Sequence, residues 1–379
     1  HGHAAGYALI AHAATSLQGS GAGGYAARIG GDEYLLVPAE TDSNAVEKAM
    51  EALLDRIATT DDRLPRICAS VGIARLSIDS PDAESWWRKA DIAMREAKAR
   101  GRGQAVFFHP RMSAAIASRK ALGDEIETAL ERDEFALFYQ PQVGLASGRL
   151  IGFEAFLRWQ HPTRGLLLPD VFIEAATERG LIDALTRQVF ERVCEQIGRW
   201  QRIGGFPDVP VSVNISGQQF HDRRLPAVVA SSLMRSGLPA RLLVLEIIEK
   251  NFLIDEADTE RVVKELARLG VRVSIGSFGL GHVSLRSLRT LGVSQIKLNR
   301  NFVEGLPDDA ESAIVVEAAI GVARRLKCQV IAEGVETRAQ FERLRELGCE
   351  AAQGFFLGAP LSPGEIEPFV AANREHPVR

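Results

Sequence analysis

From residue 135 onward, short apolar strands alternate with longer helical patterns, and this alternation constrains the fold more than any other feature. The strand candidates lie at 136–140, 152–159, 211–215, 243–247, 271–275, 295–298, 329–332 and 352–357. Helical patterns fit between them at 184–202, 259–269, 310–326 and 338–347. Such alternation predicts a parallel sheet covered by helices. Eight candidates predict closure into a TIM-like (β/α)8 barrel.

The first part of the chain has a different pattern. Strand-like runs at 34–37, 67–74 and 105–109 are separated by helical patterns at 44–58 and 85–99. This predicts a smaller α/β sheet domain. The glycine-rich run at 19–24 predicts a mobile loop tip. We expect three segments: a small α/β domain at 1–109, a linker helix at 110–132 and the barrel at 133–372.

Composition limits the classes of function. The chain has 379 residues, which suits two domains, and its 46% hydrophobic content allows a sizeable core. A net charge of −4 gives no global basic field, so we do not expect nucleic acid as a partner. The four cysteines form no C-x-x-C pair, which argues against zinc and disulfides. No apolar run approaches the ~20 residues of a membrane span and no signal peptide is visible, so we expect a cytoplasmic protein.

Polar residues recur at the carboxyl ends of the predicted barrel strands, where TIM-like barrels carry their functional groups. An unpaired buried polar group costs about 1–3 kcal/mol, so packing alone does not explain them. They are Glu154, Arg158, Asn214, Glu246, Glu249, Lys297, Glu333, Glu336 and Gln353. We expect these side chains to converge on one rim of the barrel.

The motifs that contain these residues follow one another in a recognisable order. They read FYQP, FEAFLRW, VNIS, LEIIE, IKL, AEGVE and QGFF. In this order they resemble the EAL family of cyclic-di-GMP phosphodiesterases over residues 120–372. Upstream, RIGGDEY, ASVGIA and ADIAMREAK resemble the signature and downstream elements of GGDEF diguanylate cyclases. The sequence therefore resembles a tandem GGDEF–EAL protein of cyclic-di-GMP signalling.

The resemblance implies a chemistry for the rim, namely hydrolysis of a phosphodiester by two divalent ions. It assigns Glu154, Asn214, Glu246 and Glu333 as metal ligands and Lys297 as the lysine that assists the attacking water. It also implies a wider ligand-binding set. That set is Gln140, Glu154, Phe156, Leu157, Arg158, Asn214, Lys297, Glu333, Glu336, Gln353, Gly354 and Phe355. Within it, Arg158 would bind a phosphate, Gln140 and Gln353 would face guanine edges, and Phe355 would stack on a base.

One segment departs from the family in a way that decides the predicted function. The family has two consecutive aspartates before Phe-Gly, and here Gly276 and Ser277 stand in their place. One of those aspartates bridges the two ions in the family. Only remnants of the catalytic set remain, Lys297 and Glu333 among them. A metal supplies several kcal/mol to the transition state, so we expect hydrolysis to be lost.

The sequence therefore predicts a receptor that binds cyclic-di-GMP at the barrel rim and signals to a protein partner. It resembles the catalytically degenerate receptors of the FimX type. The protein partner could be a PilZ-type or pilus-assembly protein, and the chain could also form a homodimer. No cofactor is expected for binding, and Mg²⁺ or Mn²⁺ would be needed only for residual hydrolysis. Two alternatives remain, a weak metal-dependent phosphodiesterase and a scaffold that binds no nucleotide.

The GGDEF-like region also departs from its family. Tyr7 replaces an aspartate of the family's GHxxGD segment, and residues 21–24 replace its inhibitory Arg-x-x-Asp. We expect an incomplete cyclase site without product inhibition. The turn at 30–34 could still approach an anion, because its two glycines leave backbone amides accessible.

Simpler structural roles compete with these assignments. Asp32 and Glu33 could lie in a solvated hairpin turn, and Arg158 could pair with Glu154. Lys297 could be a buried partner of Glu333, and Phe355 could belong to the core. His3, His161 and His282 share no metal-ligand spacing and are expected to be surface or structural residues rather than metal ligands.

Overall fold

A computed structural model describes residues 2–18, 24–58, 68–76, 82–249, 256–279, 288 and 292–378. Within it the chain forms two compact units, His1–Ala121 and Leu122–Arg379. The predicted loop tip at 19–24 lies, except for Gly24, outside the described residues. Each unit is described by itself.

The first unit consists of helices packed on two short sheets. Strands β1 and β2 form an antiparallel hairpin, and β3 and β4 pair in parallel. Its elements are α1 (Gly2–Gln18), β1 (Gly24–Gly30), β2 (Glu33–Pro38), α2 (Ser43–Ala58), β3 (Val71–Ile73), α3 (Ala83–Ala99), β4 (Ala105–Phe107) and the start of α4 (Pro110–Glu131). Helix α2 buries Val46, Met50, Leu53, Leu54 and Ile57 along one side, which is the apolar stripe of an amphipathic helix.

The second unit is a closed barrel of eight strands surrounded by helices. Its strands follow the order β5, β13, β12, β11, β10, β9, β8 and β6, and β6 pairs again with β5. The barrel strands are β5 (Phe135–Gly144), β6 (Leu150–His161), β8 (Val211–Ile215), β9 (Leu243–Ile248), β10 (Arg272–Phe278), β11 (Gln295–Leu298), β12 (Gln329–Glu333) and β13 (Ala351–Gln353), with β7 (Gly165–Leu167) added to β6. The predicted TIM-like fold is confirmed.

Helices follow most of the barrel strands and cover the outside of the sheet. They are α5 (Pro169–Glu178), α6 (Ile182–Gln201), α7 (Gly217–Phe220), α8 (Leu225–Ser236), α9 (Glu256–Leu269), α10 (Arg300–Glu304), α11 (Ala310–Leu326), α12 (Arg338–Glu346) and α13 (Pro363–Glu375), with a 3₁₀ turn at Ala240–Leu242. The strands between them read as continuous apolar runs, because both faces of a covered parallel strand are buried.

The barrel differs from the fully parallel expectation at its first strand. Strand β5 runs antiparallel to both of its neighbours, β6 and β13. The connection from Gly144 to Leu150 is too short to hold a crossover helix, and short connections join antiparallel strands. A second difference is that β13 ends at Gln353, whereas the strand pattern ran to residue 357.

The end of α4 belongs to the barrel unit. Leu122, Ile126 and Ala129 pack in a buried cluster with Trp159 of β6 and Phe172 of α5. The indole nitrogen of Trp159 donates to Glu134 Oε2 at 3.0 Å. Nearby, His161 of β6 is buried and contacts the Glu125 carboxylate, which is the structural role expected of it. Among the described residues, no helix is both long and apolar enough to cross a membrane.

Candidate functional site

Neighbouring strands of the barrel bring the predicted polar residues together at one rim. Register follows directly from the strand pairing: Gln140 of β5 lies opposite Glu154 of β6, Asn214 of β8 opposite Glu246 of β9, and Glu333 of β12 opposite Gln353 of β13. Residues from distant parts of the sequence therefore share one site, as the strand alternation predicted.

Lys297 lies at the centre of the rim and is fully buried. Its Nζ lies 2.6 Å from Glu246 Oε2 and 3.4 Å from Glu333 Oε1, and it also contacts Glu154 Oε2. Oxygen atoms of the three carboxylates lie within 4.8 Å of one another. A buried lysine thus balances part of the charge of three glutamates.

Burial and mutual repulsion shift the proton equilibria of this cluster. Burial, followed by repulsion from Glu154, raises the pKa of Glu246 well above its usual value. Burial also raises the pKa of Glu333, although Lys297 opposes the shift. For Lys297, burial alone would lower the pKa, but attraction to the three carboxylates outweighs it and the pKa is raised. The lysine is therefore charged at neutral pH.

Glu154 connects the carboxylates to a network of amides. Asn214 Nδ2 donates to Glu154 Oε1 at 2.7 Å, and Gln353 Nε2 donates to Glu154 Oε2 at 2.8 Å. Gln353 Nε2 also donates to Gln140 Oε1 at 2.9 Å. Gln142 Nε2 donates in turn to Gln353 Oε1 at 3.0 Å. The two residues predicted to face guanine edges, Gln140 and Gln353, are thus hydrogen-bonded to each other, and Gln353 is also hydrogen-bonded to Glu154.

Gln142 is a site residue that the sequence reasoning missed. It is 2% exposed and lies two residues after Gln140 on β5, hence on the same side of the strand. The alternation in FYQPQ was the signal that could have found it.

The end of β10 carries no carboxylate. Gly276 pairs with Ile248 of β9, and a Cβ atom added to it would lie 2.6 Å from Glu246 Oε1. The Glu246 carboxylate therefore takes up the space that a side chain at position 276 would need. The next residue, Ser277, has a φ of 55°, in the left-handed region that non-glycine residues rarely adopt.

Glu249 supports the segment that follows. Its side chain is buried, and its Oε2 accepts a hydrogen bond from the backbone N–H of Gly279 at 2.9 Å. The segment itself continues into residues 280–287, including His282, which lie outside the described residues.

Arg158 lies further along β6, on the same side of the strand as Glu154. Its guanidinium donates to the Leu157 carbonyl at 2.8 Å and lies 5.4 Å from the centre of the Phe156 ring. Burial lowers the pKa of Arg158, and Asp170 opposes that shift. Among the described residues it forms no ion pair with Glu154, so the simpler structural role is not observed.

The loops after β12 and β13 carry the remaining predicted residues. Phe355 is 68% exposed, which excludes a core role for it. Gly354 packs so closely on the backbone of Val335 that an added Cβ would lie 2.2 Å from its carbonyl oxygen. Glycine is thus needed there for packing, whatever its ligand role. Glu336 is exposed, and its backbone N–H donates to Gln340.

A divalent ion would meet an incomplete set of ligands at this rim. Glu154, Glu246, Glu333 and Asn214 offer the oxygen donors that Mg²⁺ and Mn²⁺ prefer. Neither Gly276 nor Ser277 offers a carboxylate, and the position beside Gly276 is filled by Glu246. The described side chains therefore do not fit two ions bridged from β10.

The hairpin of the first unit places Asp32 and Glu33 at an exposed turn. Gly30 pairs with Glu33, Gly31 has a φ of 56°, and the guanidinium of Arg28 donates to the Gly31 carbonyl at 2.7 Å. The simpler interpretation, a solvated hairpin turn, describes this geometry.

Comparison with known proteins assigns each of the two regions of the chain to a family. Residues 124–360 match the EAL domain family, and residues 1–104 match the family described as diguanylate cyclase, GGDEF domain. The bifunctional diguanylate cyclase/cyclic di-GMP phosphodiesterase MucR of Pseudomonas aeruginosa is 37% identical over 349 residues, which are 91% of this chain and 51% of MucR. The chain thus spans about half the length of that relative.

Two solved structures illustrate the structural likeness. The MucR phosphodiesterase in complex with c-di-GMP superposes with a TM-score of 0.63 at 37% identity, covering 65% of this chain and 99% of the other. The FimX EAL domain from Pseudomonas aeruginosa bound to c-di-GMP has a TM-score of 0.58 at 24% identity, covering 64% and 96%, and shows likeness of fold alone. The chain belongs to the EAL domain family, with a region of the GGDEF family preceding the EAL domain in a tandem arrangement.

Proposed function

We propose that this protein is a cyclic-di-GMP receptor, which binds the dinucleotide at the barrel rim without hydrolysing it efficiently. The observation that carries the proposal is a contrast within one rim. The amide and arginine groups suited to a nucleotide are present, whereas Gly276 and Ser277 provide no carboxylate for a bridged pair of ions.

The polar groups of the rim suit a cyclic dinucleotide. Gln353 and Gln140 present amides that can donate to and accept from a guanine edge. The Arg158 guanidinium, with its fork of N–H donors, suits a phosphate oxyanion. The exposed ring of Phe355 can stack on a base. MucR, whose EAL structure contains c-di-GMP, supports this choice of ligand.

A second function, weak metal-dependent phosphodiesterase activity, is favoured by the three clustered carboxylates and by the described activity of MucR. A bound nucleotide would act on a protein partner only if the partner distinguishes the bound and free conformations.

Calorimetric titration of cyclic-di-GMP into the chain, once with EDTA and once with Mg²⁺, tests the receptor proposal. We expect binding of the same affinity under both conditions, because the amide and arginine contacts need no ion. An absence of binding heat under both conditions would favour a scaffold that takes no nucleotide. Binding only with Mg²⁺ would favour the phosphodiesterase.

A further inference from the structure

The direction of strand β5 brings the end of helix α4 to the rim of the barrel. Because β5 runs antiparallel to β6, its first residue, Phe135, lies opposite Trp159, further along β6 than the rim residue Glu154. Helix α4 leads directly into β5. The segment 122–131, which we call the docked end of α4, therefore packs beside the part of β6 that carries Arg158.

Trp159, the residue after Arg158, is held by packing and by hydrogen bonds. Its side chain is fully buried and belongs to one apolar cluster with Ile126 of the docked end, which is also fully buried. The indole nitrogen of Trp159 donates to Glu134 Oε2 at 3.0 Å. The carbonyl oxygen of Glu134 accepts from the backbone N–H of Gln160 at 2.8 Å. The backbone just after Arg158 is thus held by the segment that joins α4 to β5.

The apolar cluster around Trp159 is separate from the main core of the barrel. The docked end contributes Leu122 and Ile126 to this cluster, and Leu157 packs against both the cluster and the main core. A satellite cluster can open locally, at a lower free energy than that of global unfolding. Leu157 is the neighbour of Arg158 on the other side, so opening of this cluster would loosen β6 on both sides of the arginine.

We propose that the docked end of α4 positions Arg158 for the nucleotide, so that docking of the helix and binding of cyclic-di-GMP strengthen each other. The inference rests on the proposed receptor function and deepens it. Trp159 and Glu134 are positioning residues, since they act on the ligand through Arg158. Such coupling is reciprocal: if undocking weakens the affinity for the nucleotide, the nucleotide must disfavour undocking by the same factor.

The first test needs no nucleotide. Ile126→Ala truncates a fully buried side chain of the docked end, and the matched control, Leu344→Ala, truncates a fully buried side chain of α12 in the main core. We expect hydrogen exchange of the amides at 156–160 to be roughly tenfold or more faster in Ile126→Ala than in the control. Equal exchange in the two variants would overturn the inference, because β6 would then keep its conformation without the docked end.

A second pair of variants changes a hydrogen bond instead of the packing, and both are expected to fold because Glu134 is only half-buried. Glu134→Ala leaves the indole N–H of Trp159 without its acceptor, whereas Glu134→Gln keeps an oxygen at that place. By calorimetry we expect the affinity for cyclic-di-GMP to fall about fivefold or more in Glu134→Ala, as is typical of coupled sites, and to be restored in Glu134→Gln. An equal affinity in the two variants would contradict the positioning role.

Reciprocity provides the closing measurement on the unmodified chain. Saturating cyclic-di-GMP should slow hydrogen exchange of the amides at 122–131 by about fivefold or more. Nucleotide binding that leaves this exchange unchanged would overturn the inference and leave the receptor function intact. A chain that binds no nucleotide would reject the receptor function, and the comparison of Ile126→Ala with Leu344→Ala would then decide whether the docked end positions Arg158.

Discussion

The two sides of the barrel rim differ in what they retain. On the side of β5 and β13, which we call the amide side, Gln140, Gln142 and Gln353 are joined by hydrogen bonds. On the opposite side, formed by β9 and β10, Glu246 stands beside Gly276, which has no side chain. In the proposed receptor, the amide side would recognise the nucleotide, whereas β10 offers no carboxylate that could hold a metal ion for cleavage.

Restoring the missing carboxylates should produce the largest change. The double substitution Gly276→Asp and Ser277→Asp returns two metal ligands, and the Glu246 carboxylate can rotate to make room. We expect Mg²⁺-dependent hydrolysis of cyclic-di-GMP to rise by about a hundredfold or more, since a metal contributes several kcal/mol and ~1.36 kcal/mol is tenfold in rate. The rate of hydrolysis is measured by chromatography of the products. The control is Gly276→Ala with Ser277→Ala, and unchanged hydrolysis in the aspartate variant would show that β10 is not what limits catalysis.

Removing the arginine should have the next largest effect. Arg158→Ala deletes a charged donor, and such hydrogen bonds contribute about 1.5–3 kcal/mol. Calorimetry should therefore show an affinity for cyclic-di-GMP weakened by roughly tenfold to a hundredfold. Arg164→Ala is the control, because this arginine pairs with Glu125 near the same strand. Equal affinities for the two variants would exclude a phosphate contact at Arg158.

Phe355→Ala tests the exposed ring. Stacking on a base contributes about 1–3 kcal/mol, so we expect weaker binding with little change in stability, because the side chain is 68% exposed. Leu166→Ala removes another exposed apolar side chain, on β7, and should change neither quantity. A large loss of stability in Phe355→Ala would point to a packing role instead.

The smallest expected effect concerns the residue that supports the amide side. Gln142→Leu removes the donor to Gln353 Oε1, and a typical hydrogen bond contributes about 1 kcal/mol. We expect an affinity about fivefold weaker, measured by the same titration. Gln160→Leu, at an exposed position on β6, provides the comparison. No difference between them would mean that Gln353 keeps its position without Gln142.

Much of the barrel could be predicted from the sequence, because buried parallel strands read as apolar runs and functional groups follow them. The antiparallel start of the barrel was not predicted, since the strand pattern does not encode the direction of β5. Among site residues, Lys297 and Glu333 could be placed on the rim by their strands. The contacts of Glu246 with Gly276 and Lys297 could not, because they depend on how side chains share space across strands.

The receptor function is tested most directly by incubating the unmodified chain with an equimolar amount of cyclic-di-GMP and Mn²⁺, separating bound from free nucleotide and identifying both by chromatography. We expect the bound fraction to be intact cyclic-di-GMP. Recovery of the linear dinucleotide would reject the receptor function, because hydrolysis would then proceed without carboxylates at Gly276 and Ser277.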